Sequence, residues 1–412
     1  MASGIVLSRY NYYVSERIAL GFCNNVDYEI VWNAEVLEEL ITAYEISADE
    51  LGLPSEIGSE RDLLISILNF MTTSGGGERF VSSSAIIERF AARFEKKITL
   101  GGTSVRAAIA MQVLGYTAAL HLITMNSHVR RLLPRDCPYI CSNPGDSTYP
   151  HLIVQFGADA RLRAGDIDIR AKQSNRLIYH CNAARISMNL NEDFADLITE
   201  AKVLLISGFN AVQSKQLLAD RLVRLKRILK RLPSDATVFM EDGAYYEPSF
   251  RQLIFRELGP RIDIYSMNED ELQAHLDRAV ELHDAHDVTC ALTDLSRLIP
   301  AETIVVHTRR WALAYGDDAD RYATALKAGV TMATTRFRYG DDFTMANYRE
   351  IGEREANAED ARFADIVNAA GGNCMVCAPV AAVEQENGIT IGLGDAFVGG
   401  FLPALAFDSD FS

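Results

Sequence analysis

From about residue 200 onward, short apolar runs alternate with amphipathic stretches. Residues 201–207 (AKVLLIS) read as a buried strand ending at Gly208. Between Gln213 and Leu232, leucines at 217, 218, 222, 225, 229 and 232 recur at helical spacing, with Lys and Arg on the other face. Strands are predicted over 237–240, 262–267, 303–306 and 389–391, with a helix starting near Glu269. Upstream, Gly101-Gly102 opens a helix whose expected apolar stripe is Val105, Ile109 and Val113. Gly115 closes it as a left-handed cap, and a strand over 118–123 follows. Strand–helix alternation of this kind implies parallel strands with crossover helices, an α/β sandwich. Two segments break the rhythm. Residues 28–99 are helix-rich around a Gly75-Gly76-Gly77 break, and residues 146–182 carry strand-like patterns at 152–156 and 176–179. Both read as insertions that build a smaller second layer. The remainder (1–27, 100–145 and 183–412) forms the large domain. The charge-rich stretch 349–362 reads as a solvated helix.

Composition narrows the class. The 412 residues are 48% hydrophobic and 23% charged, a globular profile with length for two or three domains. Forty basic against fifty-six acidic residues give a net charge of -16, which disfavours a nucleic-acid partner. No apolar run approaches the roughly eighteen residues of a membrane span. The first ten residues lack the charged and apolar regions of a signal peptide. Seven cysteines are too dilute for a disulfide framework, and Cys374-Met375-Val376-Cys377 has no second pair to complete a zinc site. They read as two thiols near a buried strand. The expectation is an acidic, cytoplasmic protein.

In open α/β sheets ligands bind beyond the carboxyl ends of the strands, and the polar residues gather there. Glu241-Asp242, Asn268-Glu269-Asp270-Glu271, His307-Thr308 and Gly392-Leu393-Gly394-Asp395 each follow a predicted strand. Glycines at 392 and 394 let backbone amides turn inward at a helix start and make an anion hole. An aspartate inside it can take a proton from a hydroxyl while the amides hold a transferring phosphoryl group. Read alone, the four residues are first of all a strand-to-helix turn capped by Asp395. Further along, Gly399-Gly400 permit close helix packing. Glu241 and Glu271, one strand apart, are candidates for a hydrated Mg²⁺. Glu269 and Asp270 suit the positive end of a helix without further role. Asn25 and Asp27 could bond adjacent sugar hydroxyls, or form an Asx turn.

The order of these motifs resembles the ADP-dependent sugar kinases, glucokinase and 6-phosphofructokinase, of the ribokinase-like superfamily. The resemblance rests on Gly21-Phe22-Cys23-Asn24-Asn25-Val26-Asp27, Gly101-Gly102, residues 174–179 (SNRLIY), Asn268-Glu269-Asp270-Glu271, Val306-His307-Thr308 and Gly392-Leu393-Gly394-Asp395. It implies a three-layer α/β/α sandwich with a small discontinuous lid (28–99 and 146–182). It implies Asp395 as catalytic base and the amides of Gly392 to Asp395, Leu393 and Gly394 among them, as the anion hole. Glu271 with Asn268, and Glu241, resemble the Mg²⁺ and phosphate-water site, and His307 falls on the nucleotide side. Asn25, Asp27, Gly101, Gly102 and Glu78 resemble sugar positions, and Arg176 an arginine that reaches nucleotide phosphates from the lid. ADP is then the donor, with ATP possible. Two departures stand out: Phe239-Met240-Glu241 replaces the family's frequent His-x-Glu, and Thr103-Ser104-Val105 replaces a small-residue run after Gly102.

Arg161, Arg163, Arg170, Lys172 and Arg176 lie within sixteen residues. Arg–phosphate bonds are strong, so this density tilts the acceptor toward fructose 6-phosphate over glucose. A solvated lid face is the competing reading. The runner-up functions are an ATP-dependent ribokinase-type carbohydrate or nucleoside kinase, and a catalytically silent sugar-binding regulator, against which the intact Gly-x-Gly-Asp speaks. A Rossmann oxidoreductase is disfavoured by the lack of an early GxGxxG.

Overall fold

Successive side chains of a strand point to opposite faces. Val203, Leu205, Phe239, Ile264 and Val305 accordingly enter one apolar core, and Leu204, Ile206, Val238, Tyr265 and Ile304 a second. The sheet between them is therefore buried on both faces, which is why its strands read as unbroken apolar runs. This computed structural model describes residues 17–143, 145–147, 149–181, 183–384 and 391–407.

Strands are numbered in chain order. The large sheet holds β1 (Ile18–Gly21), β5 (Ala119–Leu122), β6 (Tyr139–Cys141), β11 (Val203–Ile206), β12 (Thr237–Glu241), β13 (Ile264–Asn268), β14 (Thr303–His307), β15 (Trp311–Gly316) and β16 (Met375–Pro379). Their order is β16-β15-β14-β13-β12-β11-β1-β5-β6. From β6 to β14 every pairing is parallel; β15 runs antiparallel to both its neighbours. Helices Thr103–Val113, Ala323–Tyr339 and Leu393–Ala406 cover one face. Helices Lys215–Leu229, Phe250–Leu258, Ala285–Leu298 and Ala358–Gly371 cover the other. Leu393–Ala406 lies tightly between its two companions. A Cβ at Gly399 would strike Ala107 and Ala110, and one at Gly400 would strike Ala328 and Met332.

A second sheet of five strands is ordered β3-β10-β7-β2-β4, built from β2 (Asn25–Ile30), β3 (Gly77–Phe80), β4 (Lys96–Gly101), β7 (His151–Phe156) and β10 (Asn175–His180). Strands β8 (Arg161–Ala164) and β9 (Ile167–Arg170) form a separate hairpin. The boundary expected at 27/28 falls inside β2, because pairing with β4 runs unbroken from Asn25 to Ile30. Likewise β4 carries this sheet on to Gly101, past the expected limit at 99.

Two local expectations need correction. The helix after Gly102 buries Ser104, Val105, Arg106, Ala107, Ala108, Ala110 and Met111, not a Val105–Ile109–Val113 stripe. It is flanked by the sheet and by Leu393–Ala406, so more than one face is covered. The solvated helix over 349–362 is two helices, Met345–Gly352 and Ala358–Gly371. The second starts afresh because the Asn357 side chain accepts the Asp360 amide, and it buries Asp360, whose carboxylate pairs with Arg310 at 2.6 Å. Of the strand expected at 389–391, positions 389 and 390 lie outside the described residues. Cys377 sits buried within β16 and Cys374 is exposed just before it, both as free thiols. No helix among the described residues is long and apolar enough to cross a membrane.

Candidate active site

The Leu393–Ala406 helix begins at the carboxyl edge of the large sheet. Gly392 caps it at φ +67, a left-handed conformation that glycine adopts without steric cost. A Cβ at Gly392 would run into the Arg106 side chain, and one at Gly394 would press on the His307 ring. The loop is thus seated between two polar clusters, and Asp395 stands in the first helical turn between them.

The first cluster faces the smaller sheet. Arg106 is buried, with Nη2 donating to Asp27 Oδ2 at 2.7 Å and Nε 3.7 Å from Asp395 Oδ2; Glu29 lies 3.8 Å from Nη2. Asn25 Nδ2 donates to the other Asp27 oxygen at 2.5 Å. Gly101 faces Asn25 across the β2–β4 pairing, and the space its side chain would fill holds the Asn25 and Asp27 side chains. Gly102, at φ +91, leaves room for the Cys23–Asn24 backbone that links the two sheets. Burial pushes the Asp27 carboxyl above its ordinary range, although Arg106 pulls the other way. His151 Nδ1 is 3.8 Å from Asp27, and burial followed by the Arg185 charge holds its imidazole well below the usual range. Glu78, exposed on edge strand β3, pairs with His180 at 3.2 Å and lies 4.0 Å from Arg185. Arg176, on β10, is half-buried. Burial, then Arg106, lower its pKa, while the charges of Asp395, Glu78 and Asp27 act to raise it. The sugar candidates Asn25, Asp27, Gly101 and Gly102 therefore converge with Asp395, and Arg176 and Glu78 stand in electrostatic reach.

The second cluster joins adjacent strand ends. Glu241 closes β12, and its Oε1 lies 3.0 Å from Nε2 of His307, which ends β14. Burial disfavours the His307 cation, but the Glu241 charge and hydrogen bond prevail and its pKa is raised. Glu271 and Asn268 form a reciprocal cap. Asn268 Oδ1 accepts the Asp270 and Glu271 amides, and Glu271 Oε2 accepts the Asn268 amide at 2.9 Å. Burial, followed by the Asp242 and Glu241 charges, pushes the Glu271 carboxyl up to about 8. Asp242 is buried against His275 Nε2 at 2.7 Å. Among the described residues, Glu241 Oε2 and Asp242 Oδ1 are buried without a hydrogen-bond partner. Mutually repelling carboxylates with unsatisfied oxygens suit a divalent cation. Among the described residues no three His, Cys, Asp or Glu side chains form a ready metal cage. An ion held here would have to keep several waters and share itself with phosphates, as Mg²⁺ commonly does.

The arginine-rich stretch is placed differently from expectation. Arg161 and Arg163 pair with Asp168, at 2.6 and 3.5 Å, and Arg170 pairs with Asp159 at 2.9 Å, all on the exposed β8–β9 hairpin. Lys172 is exposed beyond it. Alternation along β8 and β9 turns these side chains to solvent while Leu162, Ile167 and Ile169 are buried. Of the five cations, Arg176 is the one that comes within electrostatic reach of Asp395 and Asp27. In return the fold supplies residues that pattern reading passed over: Arg106, His151, His180, Arg185 and the buried Arg336, whose Nε donates to the Ile391 carbonyl at 2.8 Å just before the loop. Arg106 carried a visible signal, a lone cation inside the run Val105-Arg106-Ala107-Ala108-Ile109-Ala110. His151 and Arg185 carried none.

A family model for the conserved region of ADP-specific phosphofructokinase/glucokinase matches residues 16–402. No curated protein matches by sequence. Among solved structures, a phosphofructokinase from Pyrococcus horikoshii OT3 with AMP is similar at TM-score 0.77 and 18% identity, covering 96% of this chain and 99% of that one. A reconstructed last common ancestor of ADP-dependent phosphofructokinases from Methanosarcinales gives TM-score 0.71 at 13% identity, covering 96% and 94%. An ADP-dependent kinase in complex with fructose-6-phosphate and ADPβS gives 0.69 at 12%, covering 95% and 94%. At such identities the likeness shows the fold, the ribokinase-like α/β/α sandwich.

Proposed function

The chain belongs to the ADP-specific phosphofructokinase/glucokinase family and is an ADP-dependent sugar kinase, and on that premise we propose a mechanism, an acceptor and a metal. Asp395 accepts the proton of the sugar hydroxyl as its oxygen attacks the terminal phosphorus of ADP. The bond from that phosphorus to the bridging oxygen breaks and AMP leaves. The observation that carries this reading is the seating of Asp395 at a glycine-capped helix start, 3.7 Å from a buried guanidinium that also grips Asp27. The amides of Gly392 to Asp395 receive the transferring phosphoryl group, where the helix terminus favours negative charge. Arg176 offers a further cation from the smaller sheet. Asn25, Asp27, Gly101 and Gly102 hold the sugar. Closure of the smaller sheet, as a lid formed largely by 28–99 and 146–182, excludes water.

For the acceptor we favour a hexose 6-phosphate, fructose 6-phosphate first. Arg176 and Arg185 stand around the sugar position, and a solved neighbour is a complex with fructose-6-phosphate. Free glucose is the second reading, favoured by one observation: Glu78 sets a carboxylate, suited to hydroxyls and repellent to phosphate, at the same rim. The test is a panel of ADP or ATP against fructose 6-phosphate, glucose and ribose with Mg²⁺, read as phosphorylated product. Product with ADP and fructose 6-phosphate is expected. Product with glucose alone reverses the acceptor, product with ATP alone rejects the donor, and silence throughout rejects catalysis.

Glu241 and Glu271 would hold Mg²⁺, with Asn268 and His307 fixing their orientation. The ion's chemistry is to neutralise charge on the phosphates. Groups that only orient a metal's ligands typically matter about 10- to 100-fold for metal affinity, and a ligand should matter no less. Glu271→Gln is therefore expected to raise the Mg²⁺ concentration for half-maximal turnover at least about tenfold while leaving the sugar KM near its parental value. An unchanged Mg²⁺ titration would remove Glu271 from the metal site.

A further inference from the structure

We propose that Arg106 is a positioning residue that locks Asp27 and the Gly392–Asp395 loop into one register, so that both carboxylates address the same sugar molecule. This rests on the reading of Asp395 as base. The guanidinium is buried inside a helix of small residues, where a charge is tolerated only with partners. Those partners come from different parts of the fold. Asp27 and Glu29 lie on β2 of the smaller sheet, and Asp395 lies on the helix that ends the described chain. A single planar fork therefore spans the seam between a sugar residue and the base.

Two glycines make that span possible. The Arg106 side chain lies over Gly392 where a Cβ would be, and Asp27 reaches toward it through the space left by Gly101. Lysine carries one nitrogen and cannot present Nη2 to Asp27 and Nε to Asp395 at once. The guanidinium also lies close enough to Arg176 and Arg336 to depress their pKa values, behind burial. Gathering two buried arginines and a half-buried third around one loop is costly for a merely structural ion pair. It is intelligible where the loop must be held against a developing negative charge.

The test uses Arg106→Met, Arg106→Lys and Arg106→Ala beside Asp395→Asn, with kcat and KM for sugar and ADP and a melting curve for each. A misplacement of about 1 Å can cost about a hundredfold in rate. Arg106→Met is expected to lose about a hundredfold in kcat and to raise the sugar KM about tenfold, with the ADP KM little changed. Arg106→Lys is expected to recover melting temperature but not kcat. Guanidinium ion, but not urea or sodium chloride at equal concentration, is expected to restore kcat of Arg106→Ala saturably. A lower melting temperature with kcat within about threefold of the parent, for Arg106→Met or Arg106→Lys, would overturn the proposal. Should the Met and Ala variants not fold, Arg106→Lys decides alone. If Asp395→Asn is silent while Arg106→Met is near parental, only the positioning role falls; if Asp395→Asn turns over normally, the base assignment falls first.

Discussion

Asp395→Asn is expected to lower kcat by about a thousandfold while sugar and ADP still bind within about threefold of the parent. The substitution keeps shape and hydrogen-bonding reach but removes the group that can take a proton, and a positioned general base contributes about 10² to 10⁴ in rate. Little else should change. Asn25, Asp27 and Gly101 engage one another, Asp27 keeps its bond to Arg106, and an amide oxygen at 395 can still face Arg106 Nε, so the candidate sugar site stays assembled. Gly392 retains its left-handed cap, and Arg336 still holds the Ile391 carbonyl, so the loop keeps its path. A first-turn carboxylate is worth about 0.3–1 kcal/mol to its helix, a small change in melting temperature. Steady-state kinetics with calorimetry of sugar and ADP binding separates the two effects. A kcat within tenfold of the parent would show that Asp395 is not the base, whatever its place in the loop.

The large sheet was legible because burial on both faces writes each strand as an apolar run. The predicted strands at 201–207, 237–240, 262–267 and 303–306 each contain or nearly match an observed one. The loop of Gly392 to Asp395 was legible because its glycines do something no other residue does there: one takes positive φ, and both admit a neighbouring side chain against the backbone. The arginines misled for a physical reason. Density along the chain says nothing of facing, and alternation in β8 and β9 turns Arg161, Arg163 and Arg170 onto carboxylates of their own hairpin. The converse failure is Arg106. A helix flanked on more than one side has no solvent face to take its cation, so Arg106 is buried between Asp27 and Asp395. His151 was invisible because its place beside Asp27 depends on strand order in the smaller sheet, where β7 stands between β10 and β2.

Acid is expected to destabilise this fold through His121, and by an amount a single substitution can isolate. The ring is fully buried on β5, edge-on to Phe22 and Phe194 at 4.8 and 5.4 Å, and its Nε2 accepts the Asn191 amide at 2.9 Å. Burial drives its pKa to about 3, against about 6.5 in an unfolded chain. Above pH 6.5 both states hold it neutral and it costs nothing. Between pH 6.5 and 3 the unfolded chain takes a proton that the folded chain refuses. Stability then falls by about 1.4 kcal/mol per pH unit, or about 2 kcal/mol by pH 5. His151, lowered by burial and then by Arg185, acts in the same direction. Glu271 acts oppositely: with its folded value up to about 8, the folded state gains protons first, and stability rises as pH falls from 8 toward the unfolded value of about 4.5. The parent's pH profile is therefore a difference between opposed contributions, and its slope alone assigns none of them. His121→Gln keeps an acceptor for the Asn191 amide and cannot titrate. Its deficit against the parent in urea unfolding should shrink by about 2 kcal/mol between pH 7 and pH 5. Parallel profiles for the two proteins over that interval would mean that His121 is protonated in the folded state, and that its surroundings are wetter than the packing of Phe22 and Phe194 around it implies.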